Sequence, residues 1–361
     1  MNSITSNSIL SRSLKFSLFA NTRLTTNTKS HYLDFSSKRN TSTLKNVKAP
    51  RVLITGGLGQ LGMAFARNLR AIYGSDNVIL SDIKQPSDDV RSLGPYIYLD
   101  ILNYALMEKA VEECRIDWVI HLSAVLSALG EKNPKLALDV NINGFQNILE
   151  VSKEHNLRLL TPSTMGVFSV HSGKTNTPDF AVMRPDTIYG ISKIHMELMG
   201  EYYNKKYNLD FRSLRYPGII SADSQPGGGT TDYAVDIFHS AIKTNSYSCF
   251  LKKDTSLAMM YLDDCIEGTL KLLTAPEESL KQRVYNINAI TFSPEELAQE
   301  IKKQWSPDFK IEYKPDFRQH IADTWPNSLD DSNARRDWNF DPKIRSTEQL
   351  VSIMLSKLNK N

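Results

Sequence analysis

The chain has 361 residues, 41% of them apolar and 23% charged, a globular composition with room for two domains or one large one. Its longest near-apolar stretch, Val119 to Leu129, is broken by His121 and two serines. That falls short of the roughly 20 apolar residues a spanning helix needs, so no membrane span is expected. Three cysteines, Cys114, Cys249 and Cys265, stand far apart and leave no disulfide framework, no C-x-x-C pair and no cysteine-rich zinc cluster.

The net charge of +3 is unevenly spread. Residues 1–48 hold eight of the 43 Lys/Arg and one of the 40 Asp/Glu, so the remainder of the chain carries four more acids than bases. That remainder offers no nucleic-acid-binding surface. The first 48 residues contain 17 Ser/Thr, and Ile9, Leu10, Leu14, Phe16 and Leu18 can line one face of a short basic helix. A Ser/Arg-rich, acid-poor, amphipathic leader reads as an organellar transit peptide. The fold is expected to begin near Pro50.

Arg51–Thr55 reads as a short buried strand, followed by Gly56-Gly57-Leu58-Gly59-Gln60-Leu61-Gly62 and a helix over Met63–Ile72. A strand, a glycine-rich turn and a helix are a dinucleotide fingerprint, in which backbone passes close to a pyrophosphate held at the helix N-terminus. A second strand, Asn77–Ser81, ends at Asp82, whose carboxylate can accept from adenosine ribose hydroxyls and repel a 2′-phosphate. NAD is therefore expected over NADP. A third strand, Tyr96–Leu99, ends at Asp100, placed to meet the adenine edge.

The alternation continues with helix 104–114, strand 117–121, helix 134–154, strand 157–161, helix 187–207 and strand 210–215. This pattern predicts an α/β fold, a doubly wound parallel sheet with ligands beyond the strand carboxyl ends. From Tyr216 the pattern loosens. Pro217, Pro226 and Gly227-Gly228-Gly229 mark a long loop, then helix 231–244 is predicted. Strands 246–251, 259–262 and 284–288 and helices 263–274 and 294–304 follow. Residues 49–220 are expected to form the nucleotide-binding domain, completed by later segments, and 221–361 mainly a smaller substrate lobe. The loop 221–231 reads as a lid, because three glycines have no side chains to pack.

Tyr189 and Lys193 stand at i and i+4, on one helix face. A nearby ammonium favours a phenolate and brings tyrosine toward the range of a general base. Ser163 and Thr164 follow the strand ending at Thr161, and either hydroxyl can bond a reacting oxygen.

Together, Thr55–Gly62, Asp82, Asp100, the 163–164 hydroxyls and Tyr189/Lys193 resemble the extended short-chain dehydrogenase/reductase family, over essentially Arg51 to the C-terminus. Aligned on Val167-Phe168, the family's catalytic hydroxyl falls on Thr164, although Ser169 stands where relatives carry glycine. Within that family, Arg184–Gly190, Leu214–Ser221, Pro226–Val235, Met259–Cys265 and Asp323–Trp338 resemble the metal-independent L-threonine 3-dehydrogenases. The Gly-Gly-Gly-Thr-Thr-Asp run is the most specific of these motifs, and Ala258 replaces a common proline.

The resemblance implies oxidation of L-threonine at C3 to 2-amino-3-ketobutyrate, with NAD and no metal, as a first step toward glycine in the mitochondrial matrix. Catalysis would fall to Tyr189, Lys193 and Thr164. Ile83, Ile101, Leu122, Ala124, Asn141, Tyr216 and Ile219 would join Gly56–Gly62, Asp82, Asp100, Tyr189 and Lys193 around the cofactor. Ser127, Thr164, Tyr189, Thr230 and Thr231 would meet the substrate, and Trp325 would close the pocket. A homodimer through helices 134–154 and 187–207, with Leu136, Val140 and Leu149 as apolar surface, and coupling to a 2-amino-3-ketobutyrate CoA lyase are also implied. A nucleotide-sugar epimerase or dehydratase is the first alternative, but Met165 stands where such dehydratases carry an acid. A non-catalytic NAD-binding assembly protein is the second, but both Tyr189 and Lys193 are present.

Overall fold

The computed structural model describes residues 49–223 and 229–359. The expected leader, 1–48, lies outside them, as does 224–228 of the expected lid. In chain order the strands are β1 (Val52–Thr55), β2 (Val78–Asp82), β3 (Tyr96–Tyr98), β4 (Trp118–His121), β5 (Arg158–Leu160), β6 (Ser163–Thr164), β7 (Phe211–Tyr216), β8 (Gly218–Ile220), β9 (Ser246–Cys249), β10 (Leu257–Tyr261), β11 (Val284–Asn286), β12 (Ile290–Phe292) and β13 (Lys310–Tyr313). The helices are α1 (Gln60–Tyr73), α2 (Asp88–Ser92), α3 (Tyr104–Cys114), α4 (Ser127–Lys132), α5 (Pro134–Leu138), α6 (Phe145–Glu154), α7 (Ile188–Tyr207), α8 (Tyr233–Thr244), α9 (Leu262–Thr274), α10 (Pro294–Gln304), α11 (Phe317–Thr324), α12 (Ser332–Trp338) and α13 (Thr347–Leu358).

The main sheet runs β11-β7-β5-β4-β1-β2-β3, with β6 also paired to β7, and every pairing is parallel. Strand order reverses between β1 and β4, so a crevice opens there beyond their carboxyl ends. Side chains alternate between the sheet's faces. Val52 and Ile54 of β1 pack with α1 and α9, while Leu53 packs with α3, α6 and α7. Both faces are buried, which is why these strands are nearly continuous apolar runs.

After β7 the chain builds two smaller sheets, β12-β10-β8 and β13-β9. They pack with α8, α10 and α13 around Phe238, Leu257, Phe292, Leu297 and Met354. Strand β11 and helix α9 return to the main sheet. No helix among the described residues is long and apolar enough to cross a membrane.

Two expectations need correction. The helix expected over 134–154 is split, because a π-helical turn, Asp139–Gly144, separates α5 from α6. There the Asn141 amide bonds the Val125 N–H and C=O at 2.7 and 3.0 Å, so a tertiary contact sets the local winding. Helix α8 starts at Tyr233, not Thr231; Asp232 is its N-cap, and its carboxylate accepts from the Gly229 N–H at 2.8 Å.

Helix α7 lies unusually close to the sheet. A Cβ on Gly200 would stand 2.2 Å from the Phe211 ring. Gly200→Ala is therefore expected to destabilise the protein by about 1–3 kcal/mol, the usual cost of overpacking. Thermal unfolding checks this; an unchanged midpoint would show that α7 can shift freely on β7.

Candidate active site

The glycine turn after β1 is built for close approach. Gly56 has φ +65°, in the left-handed region, and a Cβ there would meet the Ser123 backbone N at 2.8 Å. A Cβ on Gly62 would lie 2.6 Å from Gly57. The turn thus presses against the loop after β4 and packs closely on the first turn of α1. Helix α1 has Gly59 as its N-cap, with no side-chain cap and no acid in its first turn. Like α4 and α9, and unlike α3, α7, α10 and α13, which are capped by Asn103, Thr187, Ser293 and Ser346, α1 thus starts with N–H groups that could meet an anion.

Asp82 stands beside this turn, where its carboxylate accepts from the Leu58 and Lys84 N–H groups at 3.2 and 3.1 Å. Ile83 beyond it is exposed. Asp100 accepts from the Leu102 N–H at 2.9 Å, while Ile101 is buried in the core. Leu122 and Ala124 lie on the loop after β4, half-buried. This cradle, an uncapped helix start and a carboxylate at the end of β2 fit a dinucleotide. Two further positions look inward instead. The Tyr216 hydroxyl bonds Thr269 at 2.6 Å inside the core, and the Asn141 amide also reaches Ser192 at 3.1 Å. Ile219, in β8, is half-buried.

The reactive residues converge from α7 and β6. Thr187 caps α7 by accepting from the Gly190 N–H at 3.1 Å, which fixes the helix start two residues before Tyr189. Tyr189 is half-buried and its hydroxyl lies within hydrogen-bonding reach of Thr164, whose Oγ1 accepts from the Gly166 N–H at 3.0 Å. Of the two adjacent hydroxyls, Thr164 therefore faces Tyr189, whereas Ser163 donates to Glu197.

Lys193 lies with its Nζ 5.8 Å from the Tyr189 ring centroid and donates to the Pro162 carbonyl at 2.7 Å. Burial pushes its pKa down to about 8, against the pull of Glu197. Burial likewise pushes Tyr189 up to about 12, although the bond to Thr164 opposes it. In the protein alone, desolvation is thus the larger influence on the phenol. His121, bonded to Thr55 Oγ1 at 2.8 Å, is held neutral; burial and Lys193 push its pKa to about 3.

The expected substrate residues are scattered in sequence. Ser127 is a buried first residue of α4. Trp325 is buried, and a Cβ on Gly166 would lie 3.4 Å from both its Cζ2 and Thr164 Oγ1, so the indole borders the reactive centre. Lys174 Nζ holds the Trp325 carbonyl at 2.8 Å. Thr230 is buried with its hydroxyl unpartnered, and Thr231 packs against Gly218. Sequence reasoning missed Glu197 and Arg215, which share a buried bidentate ion pair behind Lys193. The four-residue step from Lys193 to Glu197 was the available signal.

Residues 52–288 match the model of the NAD dependent epimerase/dehydratase family. The chain belongs to the NAD dependent epimerase/dehydratase family. Within this epimerase/dehydratase family it is 57% identical over 307 residues to the mitochondrial L-threonine 3-dehydrogenase of Bos taurus, covering 85% of this chain and 82% of that one. A crystal structure of L-threonine dehydrogenase from Phytophthora infestans superposes with TM-score 0.83 at 48% identity, covering 86% of this chain and 99% of the other. A monomeric L-threonine 3-dehydrogenase from a metagenome superposes with TM-score 0.82 at 41% identity, over 86% and 99% of the two chains.

Tyr189→Phe removes the expected proton acceptor and leaves the glycine cradle intact. Turnover is expected to fall by about 10²–10⁴, the usual range for an acid–base group, with NAD binding by calorimetry retained. Near-normal turnover would assign the proton transfer to another residue.

Proposed function

We propose that the protein oxidises L-threonine at C3 to 2-amino-3-ketobutyrate with NAD. The observation that carries this reading is the convergence of the half-buried Tyr189 and Thr164 hydroxyls, with Lys193 Nζ 5.8 Å from the Tyr189 ring and the Trp325 indole beside Thr164. It occurs in a chain whose relatives are named L-threonine dehydrogenases.

The secondary alcohol would sit between the two hydroxyls. Thr164 orients the oxygen, and Tyr189 accepts its proton at the phenolic oxygen. The Lys193 ammonium favours the phenolate and hydrogen-bonds the cofactor ribose. NAD, when bound, supplies the acceptor for the hydride from C3 and a cationic ring that favours the neighbouring phenolate. Gly56–Gly62, with the uncapped start of α1, holds the pyrophosphate, and Asp82 takes the adenosine ribose hydroxyls. Asp100, with Ile83, Leu122, Ala124 and Ile219, completes the cofactor's surroundings, whereas Ile101, Asn141 and Tyr216, turned into the core, support them from behind. Ser127 and Thr231, with Thr230, whose buried hydroxyl is unpartnered, receive the amino-acid carboxylate and ammonium. Trp325 keeps water out.

The same reading divides the chain into a nucleotide-binding part, 49–220, and a substrate lobe, 221–361. It assigns 1–48 to a transit peptide and the protein to the mitochondrial matrix, in keeping with the mitochondrial bovine relative. It also includes a homodimer through the α5–α6 and α7 surfaces. Leu136, Leu138, Ile191, Leu198 and Tyr202 are exposed there and Val140 is half-buried, whereas Leu149 is fully buried and supplies no interface. The reading also includes functional coupling to a 2-amino-3-ketobutyrate CoA lyase, an enzyme that would consume the ketone product.

NADH formation with L-threonine, L-allo-threonine and L-serine tests the proposal. L-Threonine is expected to be turned over best, with kcat/KM clearly higher for NAD than for NADP. Asp82→Ser should narrow that preference by removing repulsion of the 2′-phosphate. Turnover of a nucleotide sugar and not of threonine would refute the reading.

A further inference from the structure

One buried carboxylate has no part in the chemistry above. Glu197 follows Lys193 by four residues and Tyr189 by eight, so all three share one face of α7. It is 2% exposed. Its Oε1 accepts from Arg215 Nε at 2.9 Å and from the Ser163 hydroxyl, and its Oε2 accepts from Arg215 Nη2 at 2.8 Å. Ser163 pairs with Arg215 across β6 and β7, and Thr164 with Tyr216. By gripping both members of the first pair, Glu197 fixes where Thr164, one residue further, meets Tyr189.

The bonding continues away from the helix. Arg215 Nη1 donates to the Asp179 carbonyl at 2.6 Å and to Asn286 Oδ1 at 3.2 Å. The Asp179 carboxylate accepts from the Asn286 N–H at 2.6 Å and from Asn333 Nδ2 at 2.8 Å, and Asn286 Nδ2 donates to the Thr177 carbonyl at 3.0 Å. The Thr177 N–H donates to the Ser328 carbonyl at 3.0 Å, three residues after Trp325. Stability alone does not call for charges here, because an apolar pair of similar volume fills such a site as well or better.

We propose that Glu197, together with Arg215, is a positioning residue for the reaction: it locks α7, β6 and β7 in the one register that brings Tyr189, Lys193 and Thr164 together, and ties that register to the segment bearing Trp325. This inference rests on the alcohol-oxidation reading above. The carboxylate also opposes the loss of the Lys193 proton. Lys193 is faced by Tyr189 and Glu197 on its own helix, by His121 from β4 and by the Pro162 carbonyl. Glu197 is faced by Arg215 from β7 and Ser163 from β6, with Asp179 and Glu201 beyond them.

Glu197→Gln removes an anion and leaves the Arg215 cation without its counter-charge. Both changes favour deprotonation of Lys193, so it titrates at lower pH. In this variant kcat is expected to fall about 10²-fold, as for a small misplacement of reacting groups. Its pH–rate profile moves to the acid side, and NAD binding by calorimetry is kept. The double variant Glu197→Leu with Arg215→Met guards against a folding defect: its melting temperature should recover while kcat stays low. A wild-type profile in Glu197→Gln, or a wild-type kcat in the double variant, would overturn the proposal. NMR titration of labelled lysine gives a readout that needs no substrate. A lower Lys193 pKa in Glu197→Gln supports the role, and an unchanged one overturns it. If the wild type leaves threonine untouched, the substrate reading falls, and the NMR result alone decides the role of Glu197.

Discussion

The reactive centre depends on how closely α7 approaches the strand ends, and that approach depends on two missing side chains. At one end of the contact, a Cβ on Gly190 would stand 2.4 Å from the Gly166 carbonyl oxygen and 2.6 Å from Pro185. At the other, Gly200 leaves the space that the Phe211 ring fills. With the helix held this near, a side chain of ordinary length carries the Tyr189 hydroxyl to Thr164 and the Lys193 ammonium to Pro162. The crevice at the β1–β4 switch point then lies between the cofactor cradle and the proton-transfer residues. Parallel topology and helix packing together decide where chemistry can occur in this epimerase/dehydratase fold.

The same closeness sets the electrostatics. Burial disfavours every charge, so tyrosine is driven up, lysine down and histidine to its neutral form. A tyrosine in that state is a poor base by itself. On the proposed reading Lys193, with the carboxylate of Glu197 behind it, and the Thr164 hydroxyl would offset that cost. Each compensating group acts at short range and in a dry setting, where geometry counts for more than net charge.

Much of this was legible in the residues. The glycine run, Asp82 and the alternation of apolar strands with amphipathic helices specify a nucleotide fold because each depends on local backbone demands. The Tyr189/Lys193 spacing is readable for the same reason. Neighbouring hydroxyls are different: Ser163 and Thr164 lie on an extended strand, so they point to opposite sides, and only the tertiary partners show which meets the phenol. The split at 139–144 follows from Asn141 reaching Val125, a contact no local pattern reveals. Strands β8 and β12 have three residues each and exist by virtue of pairing with β10. Helix α13 also lies outside the expected elements, although the spacing of Leu350, Val351, Met354 and Leu355 carries a signal for it. Glu197 stands in a visible four-residue series with Tyr189 and Lys193, but its partner Arg215 comes from a strand distant in sequence.

Oxidation at C3 requires that the C3–H bond of threonine is the one broken, with its hydrogen leaving as hydride. L-Threonine deuterated at C3, incubated with the protein and NAD, tests this directly by mass spectrometry of the nucleotide. The account predicts deuterium on the reduced nicotinamide, one atom per molecule of ketone formed. Reduced cofactor without deuterium, or label retained wholly in the amino acid, would contradict it.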